Sequence, residues 1–159
     1  MNFSIDRFGD ICQHAASVRE WNQTYSQLTS GALQSSLQQL SGRRFQFFRE
    51  RINQRVVQHG EAPRGKICFA VPVAVPGLAR MQGRGVDERS IFVLQGGEEF
   101  MFHMPMGMDL LAITFDRGVF EQAVAAAPQP DQLATLLKQP VLQIQAGRLG
   151  DSRVHLLGL

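Results

Sequence analysis

Catalysis needs nucleophiles, acids or metal ligands in sets, and this sequence keeps such residues apart. Its 4 histidines, His14, His59, His103 and His155, are scattered and never stand two residues apart. First-row metals want three or four N, O or S ligands in a set geometry, so a lone imidazole makes no site. His103, in Phe102-His103-Met104-Pro105, falls on an expected strand and reads as a hydrogen-bonded strand residue or as a ligand contact. The 2 cysteines, Cys12 and Cys68, have neither the density nor the spacing of a disulfide framework or a zinc site. No G-x-S-x-G elbow, no phosphate-cradling G-x-x-x-x-G-K-[ST] and no H-E-x-x-H is present. Gly83-Arg84-Gly85 opens no helical pattern. The sequence therefore predicts no enzyme, no catalytic residue, no bound metal and no cofactor.

Recognition chemistry remains. Phe supplies 11 of the aromatic residues against 1 Trp and 1 Tyr, and many fall on expected strands. They serve as barrel core, or some line a cavity, since a small barrel can hold one small ligand. Arg49 shares strand parity with Phe45 and Phe47, and pointing inward it would need an internal carboxylate or a ligand anion as partner. Glu50 has the opposite parity. Should it be the inward one, it could pair with a ligand ammonium, and the sequence leaves both readings open beside a surface ion pair. The candidate ligand-binding residues are thus Phe47, Arg49, Glu50, Phe69, Phe92, Phe100, Phe102 and His103. Met101, Met104, Met106 and Met108 cluster around Pro105 and Gly107, as filler or as an adaptable rim.

These residues must be positioned by strands. Leu33, Ser35 and Leu37 alternate, Ser41-Gly42 breaks the run, and Arg44 to Glu50 alternates again, which predicts an antiparallel hairpin. Ile52 to Gln58 reads as a continuation of that strand, and His59 to Gly65 as a turn. Further strands are expected over Lys66 to Val73, Ser90 to Leu94, Glu99 to Met104 and Leu110 to Phe115, with Gln95-Gly96-Gly97 as a hairpin turn. Pro72 and Pro76 demote the residues beyond them to edge or loop. After Asp116 the period changes. Val119, Phe120, Ala123 and Val124 stand at helical spacing, and a second short helix carries Leu133, Leu136 and Leu137 behind Asp131. Val141 to Ile144 reads as a last strand, and Asp151 as the cap of a helix with Val154, Leu156 and Leu157. Seven or eight short strands followed by helices give a mainly β fold, a jelly-roll barrel with two or three appended helices.

The chain of 159 residues fits one domain. Its net charge of +2 provides no clustered basic stripe for nucleic acid. No signal peptide and no apolar run of membrane-spanning length is visible, which predicts a cytoplasmic protein without membrane contact.

The order of residues from Trp21 to Asn53, with Trp21-Asn22-Gln23-Thr24-Tyr25-Ser26-Gln27-Leu28 and later Phe48-Arg49-Glu50, resembles the AraC-type transcription regulators. Within them it is similar to the sensor half of ethanolamine-operon activators. Ala62 to Phe69, Gly97-Glu98-Glu99-Phe100, Pro105 and Asp109 to Ile113 continue the likeness, which spans about residues 15 to 145. The resemblance implies a cupin-like barrel over 21–145, an N-terminal arm or helix over 1–20, and the start of a dimerisation helix over 146–159. It also implies a longer, dimeric activator whose helix-turn-helix domain lies outside this chain and alone contacts DNA. The effector would be a small molecule, an amine or alcohol of a catabolic pathway. Cupin barrels also house metal-dependent enzymes of small metabolites, which is the alternative function.

Overall fold

A computed structural model describes residues 1–144, and the expected helix behind Asp151 lies outside the described residues. In chain order the elements are β1 (Asn2–Phe8), α1 (Ile11–Ser17), β2 (Asn22–Gln27), β3 (Ser35–Ser41), β4 (Phe45–Ile52), β5 (Val56–Glu61) and β6 (Lys66–Ala74). Next come β7 (Ala79–Met81), β8 (Arg84–Val86), β9 (Ser90–Gln95), β10 (Glu99–Met104) and β11 (Met108–Asp116). The described chain closes with α2 (Arg117–Ala125), α3 (Pro130–Leu136) and β12 (Val141–Gln143).

The strands form two antiparallel sheets, in the orders β1-β3-β4-β11-β6-β9-β12 and β2-β5-β10-β7-β8. This is the mainly β, jelly-roll architecture the alternation predicts, including the last strand expected from Val141, with more strands because three-residue pieces such as β7 and β8 are too short to display a period. The large sheet turns Leu37, Phe48, Ala70, Phe92, Leu110 and Ala112 inward, and the small sheet meets them with Tyr25, Val56, Phe100, Phe102 and Met104. Aromatic pairs tie the sheets together. Trp21 stands edge-on to Phe48 and to Phe100, each 5.7 Å away, and Phe92 lies 5.0 Å from Phe102.

Several local expectations are corrected. Residues 1–20 contain both a strand and a helix: β1 pairs with β3, and Asp10 caps α1 by accepting from the backbone N–H groups of Cys12 and Gln13 at 2.8 and 3.0 Å. The β3–β4 hairpin forms as expected, but Ile52 ends β4, and β5 is a separate strand of the other sheet that runs on to Glu61. Strand β6 continues through Pro72, which stands opposite Leu110 of β11 beyond the stretch, ending at Ala70, that β9 accompanies.

The largest correction concerns Gln95-Gly96-Gly97. It joins no hairpin: β9 pairs with β6 and β12, whereas β10 pairs with β5 and β7, so these residues cross between sheets. Gly96 is required by contact, since a Cβ there would lie 2.3 Å from the Pro63 carbonyl oxygen and 2.5 Å from that of Lys66.

Candidate functional site

Strand β4 lies inside the large sheet, between β3 and β11, and its pleat settles the question of parity. Gln46, Phe48, Glu50 and Ile52 face the core, and Phe45, Phe47, Arg49 and Arg51 face away from it. Glu50 is the inward residue, with 1% of its surface exposed. A carboxylate at that depth must be matched by donors. The Tyr25 hydroxyl, from β2 of the opposite sheet, donates to both carboxylate oxygens at 2.8 and 3.1 Å. His14, from α1, places Nε2 3.1 Å from Oε1 and Nδ1 2.7 Å from the Ser35 hydroxyl of β3. An ionised carboxylate only accepts, so Nε2 carries the hydrogen in that contact.

Burial first, then the charge of Glu50, holds the Tyr25 phenol well above its usual 10.0, so Tyr25 stays a donor. Burial also pushes the Cys68 thiol up to about 12, which removes thiolate chemistry at this wall of the barrel.

Beside Glu50 the interior leaves a cavity of about 20 Å³, bounded by Trp21, Phe48, Gln58, Phe92, Phe100 and Phe102 among others. That is about the room of one water. The site is thus a buried carboxylate against a cage of aromatic rings, closed around a water-sized space.

The structure brings Glu50, Phe92, Phe100 and Phe102 together and separates the other candidates from them. Phe47 and Phe69 lie on the outer face of the large sheet, both opposite Ile113, and Phe69 packs 5.2 Å from Phe120 of α2. Arg49, on the same outer face, grips Asp109 through Nε at 2.8 Å and Nη2 at 2.7 Å. The inward reading of Phe47 and Arg49 is therefore corrected: both faces of β4 meet apolar neighbours, so alternation alone does not name the inner one. His103 alternates with the buried Phe102 and Met104 and sits half-buried on the far face of β10, opposite Val57 and Arg80. Met104 and Met108 are core, whereas Met101 and Met106 are exposed.

Sequence reasoning missed Trp21, Tyr25, His14, Ser35 and Gln58 as participants. The signal for two of them was present: the chain's 1 Trp and 1 Tyr stand four residues apart, at the start of a polar strand. His14 carried no such signal, because α1 reaches Glu50 only through the fold. Among the described residues no three His, Cys, Asp or Glu side chains gather as a metal set. Nor is any helix among them long and apolar enough to cross a membrane.

No family model matches the sequence, and no curated protein matches it significantly. Solved structures do match. The AraC-like transcriptional activator CuxR superimposes with a TM-score of 0.60 at 7% identity, over 86% of this chain and 59% of that one. The chain thus spans about three fifths of that activator's length. A cupin domain of an XRE family transcriptional regulator from Enterobacter cloacae aligns at TM-score 0.43 and 12% identity, over 51% of this chain and 95% of that one. A predicted oxalate decarboxylase from Thermotoga maritima aligns at 0.44 and 11%, over 71% and 92%. These two superpositions are too distant to bear on function. What is shared is the fold: the chain is a mainly β jelly roll, similar in architecture to an AraC-like activator.

Proposed function

We propose that the chain is the effector-sensing domain of a cytoplasmic transcription regulator, and that its effector is a small amine, or an alcohol bonding to the same oxygens, taken into the barrel at Glu50. One observation carries this reading: a carboxylate only 1% exposed borders an internal cavity walled by Trp21, Phe48, Phe92, Phe100 and Phe102. A carboxylate and aromatic faces are complementary to an ammonium head group, by charge and by cation–π attraction.

The space of about 20 Å³ is that of a closed state, so an effector larger than water must select a wider one. It shifts the population only by the difference in its affinity for the two. The coupling route is short. An ammonium engaging Glu50 competes with the Nε2–H of His14, which belongs to α1 of the N-terminal segment. Loosening α1 from the barrel would be the output, and a coupling of about 1–3 kcal/mol corresponds to roughly 5–150-fold regulation. We assign DNA contact to a helix-turn-helix domain outside this chain and expect the full-length protein to be a homodimer. The shared architecture with an activator supports this.

A thermal-shift screen of the purified chain against small amines, amino alcohols, alcohols, carboxylates and divalent metals tests the assignment. Ligand at a hundredfold over its Kd stabilises by about 2.7 kcal/mol. The reading requires a selective amine or alcohol response. Stabilisation by a metal alone would overturn it in favour of a metal-dependent enzyme, and silence toward every amine and alcohol would also count against it.

A further inference from the structure

The outer face of the large sheet carries a second concavity, an open groove of about 900 Å³ along β1, β3, β4 and the start of β11. One row across this face is charged. Arg7 on β1 stands opposite Ser36 on β3, Ser36 opposite Arg51 on β4, and Arg51 opposite Asp109 on β11. Asp109 is the row's only acid, and it is already committed. It takes both bonds of Arg49, at 2.8 and 2.7 Å, and the Nε–H of Arg51 at 3.0 Å.

Two guanidiniums are left with donors to spare. The terminal nitrogens of Arg51 carry no hydrogen bond among the described residues, and its side chain is 59% exposed. Arg7 is exposed and has neither an ion pair nor a hydrogen bond to any described residue. The hydroxyl of Ser36 and the amide of Gln38, on the groove floor, are likewise uncommitted among the described residues. Two arginines against one aspartate leave the groove lining with a net positive charge, and Arg49 from beside the groove draws further on that aspartate.

We propose that this groove binds a small phosphate monoester, its phosphate held between Arg7 and Arg51 over Ser36 and Gln38, and its organic part lying on the exposed Ile5. Spacing supports it. Neighbouring strands lie about 4.8 Å apart, so the α-carbons of Arg7 and Arg51 stand about 10 Å apart. Two long side chains close that gap on one anion. Two guanidinium forks, a hydroxyl and an amide offer more donors than the two oxygens of a carboxylate accept, and they suit the three terminal oxygens of a phosphate. The groove has the size of a metabolite site. The donors Arg7, Ser36, Gln38 and Arg51 stand on the opposite face of the sheet from Glu50, so the proposal stands or falls independently of the effector reading.

Isothermal titration of the purified chain with glycerol 3-phosphate, inorganic phosphate and succinate, at fixed ionic strength, tests the proposal. Saturable binding of the phosphate ester is expected, weakened about tenfold or more in Arg7→Gln and in Arg51→Gln, as for losing a charge-assisted bond. Arg55→Gln, an exposed arginine outside the groove, should bind like the wild type. Arg7→Lys and Arg51→Lys keep the charge without the fork and should fall between, which guards against a misfolded glutamine variant. No saturable binding, an equal loss in Arg55→Gln, or succinate binding as tightly as the phosphate ester would overturn the proposal.

Discussion

Glu50 is costly to bury, and three side chains from three elements offset that cost: Tyr25 from β2, His14 from α1 and, behind His14, Ser35 from β3. Removing one partner of such a group leaves a buried acceptor short of donors, which costs more than the bond itself contributes. Burial has a second signature at this scale. The Cys68 thiol is raised from 9.0 to about 12, so the folded state keeps a proton that the unfolded chain releases above about pH 9. Stability from this group is complete below pH 9 and declines as pH rises toward 12. Tyr25, raised above its usual 10.0 by burial and by Glu50, extends the loss beyond pH 10. Urea titrations followed by circular dichroism should show the midpoint falling between pH 9 and 11. In Cys68→Ala the decline should begin about one pH unit later, and an unchanged onset would contradict the assignment.

At the scale of elements, the fold depends on where the chain changes sheet. Gly96 sits at such a crossing, with backbone oxygens where a Cβ would be. Gly96→Ala should destabilise by about 1–3 kcal/mol, as overpacking against rigid atoms does. Denaturant unfolding would check this, with Gly85→Ala as control, since a Cβ at Gly85 meets nothing within 4 Å. The sequence made β3, β4, β6, β9, β10, β11 and the short β12 legible, chiefly because alternation registers any strand with one face unlike the other. It could not say which strands are partners, and so a glycine turn between two strands read as a hairpin. It also could not name the inner face of β4. Phe47 on one side meets Ile113, and Phe48 on the other meets Trp21, so both faces are apolar for different reasons. The site was half visible for the same cause. Residues on strands declared themselves, whereas His14 reaches Glu50 only through a helix that no period places there.

For the whole molecule, the two faces of the large sheet do different work. The inner face builds an aromatic cage around a buried carboxylate, and the outer one carries an apolar patch of Phe69, Val71, Ile91, Leu111 and Ile113 beside the arginine row. The small sheet closes the cage through Phe100 and Phe102 and supplies Tyr25. A jelly roll places these groups at its centre because paired sheets bury alternate residues from both sides, and the N-terminal helix reaches that centre through His14. The chain contains 1 Trp, and that residue, Trp21, lines the interior cavity and lies 5.7 Å from both Phe48 and Phe100. Its emission is therefore a direct report on the cage. The measurement that tests the central claim is a Trp21 fluorescence titration of the wild-type chain and of Glu50→Gln with small primary amines and with carboxylates of equal size. A saturable change with an amine, absent with the carboxylates and lost in Glu50→Gln, is the predicted result. An amine response undiminished in Glu50→Gln, or none from any amine, would contradict it.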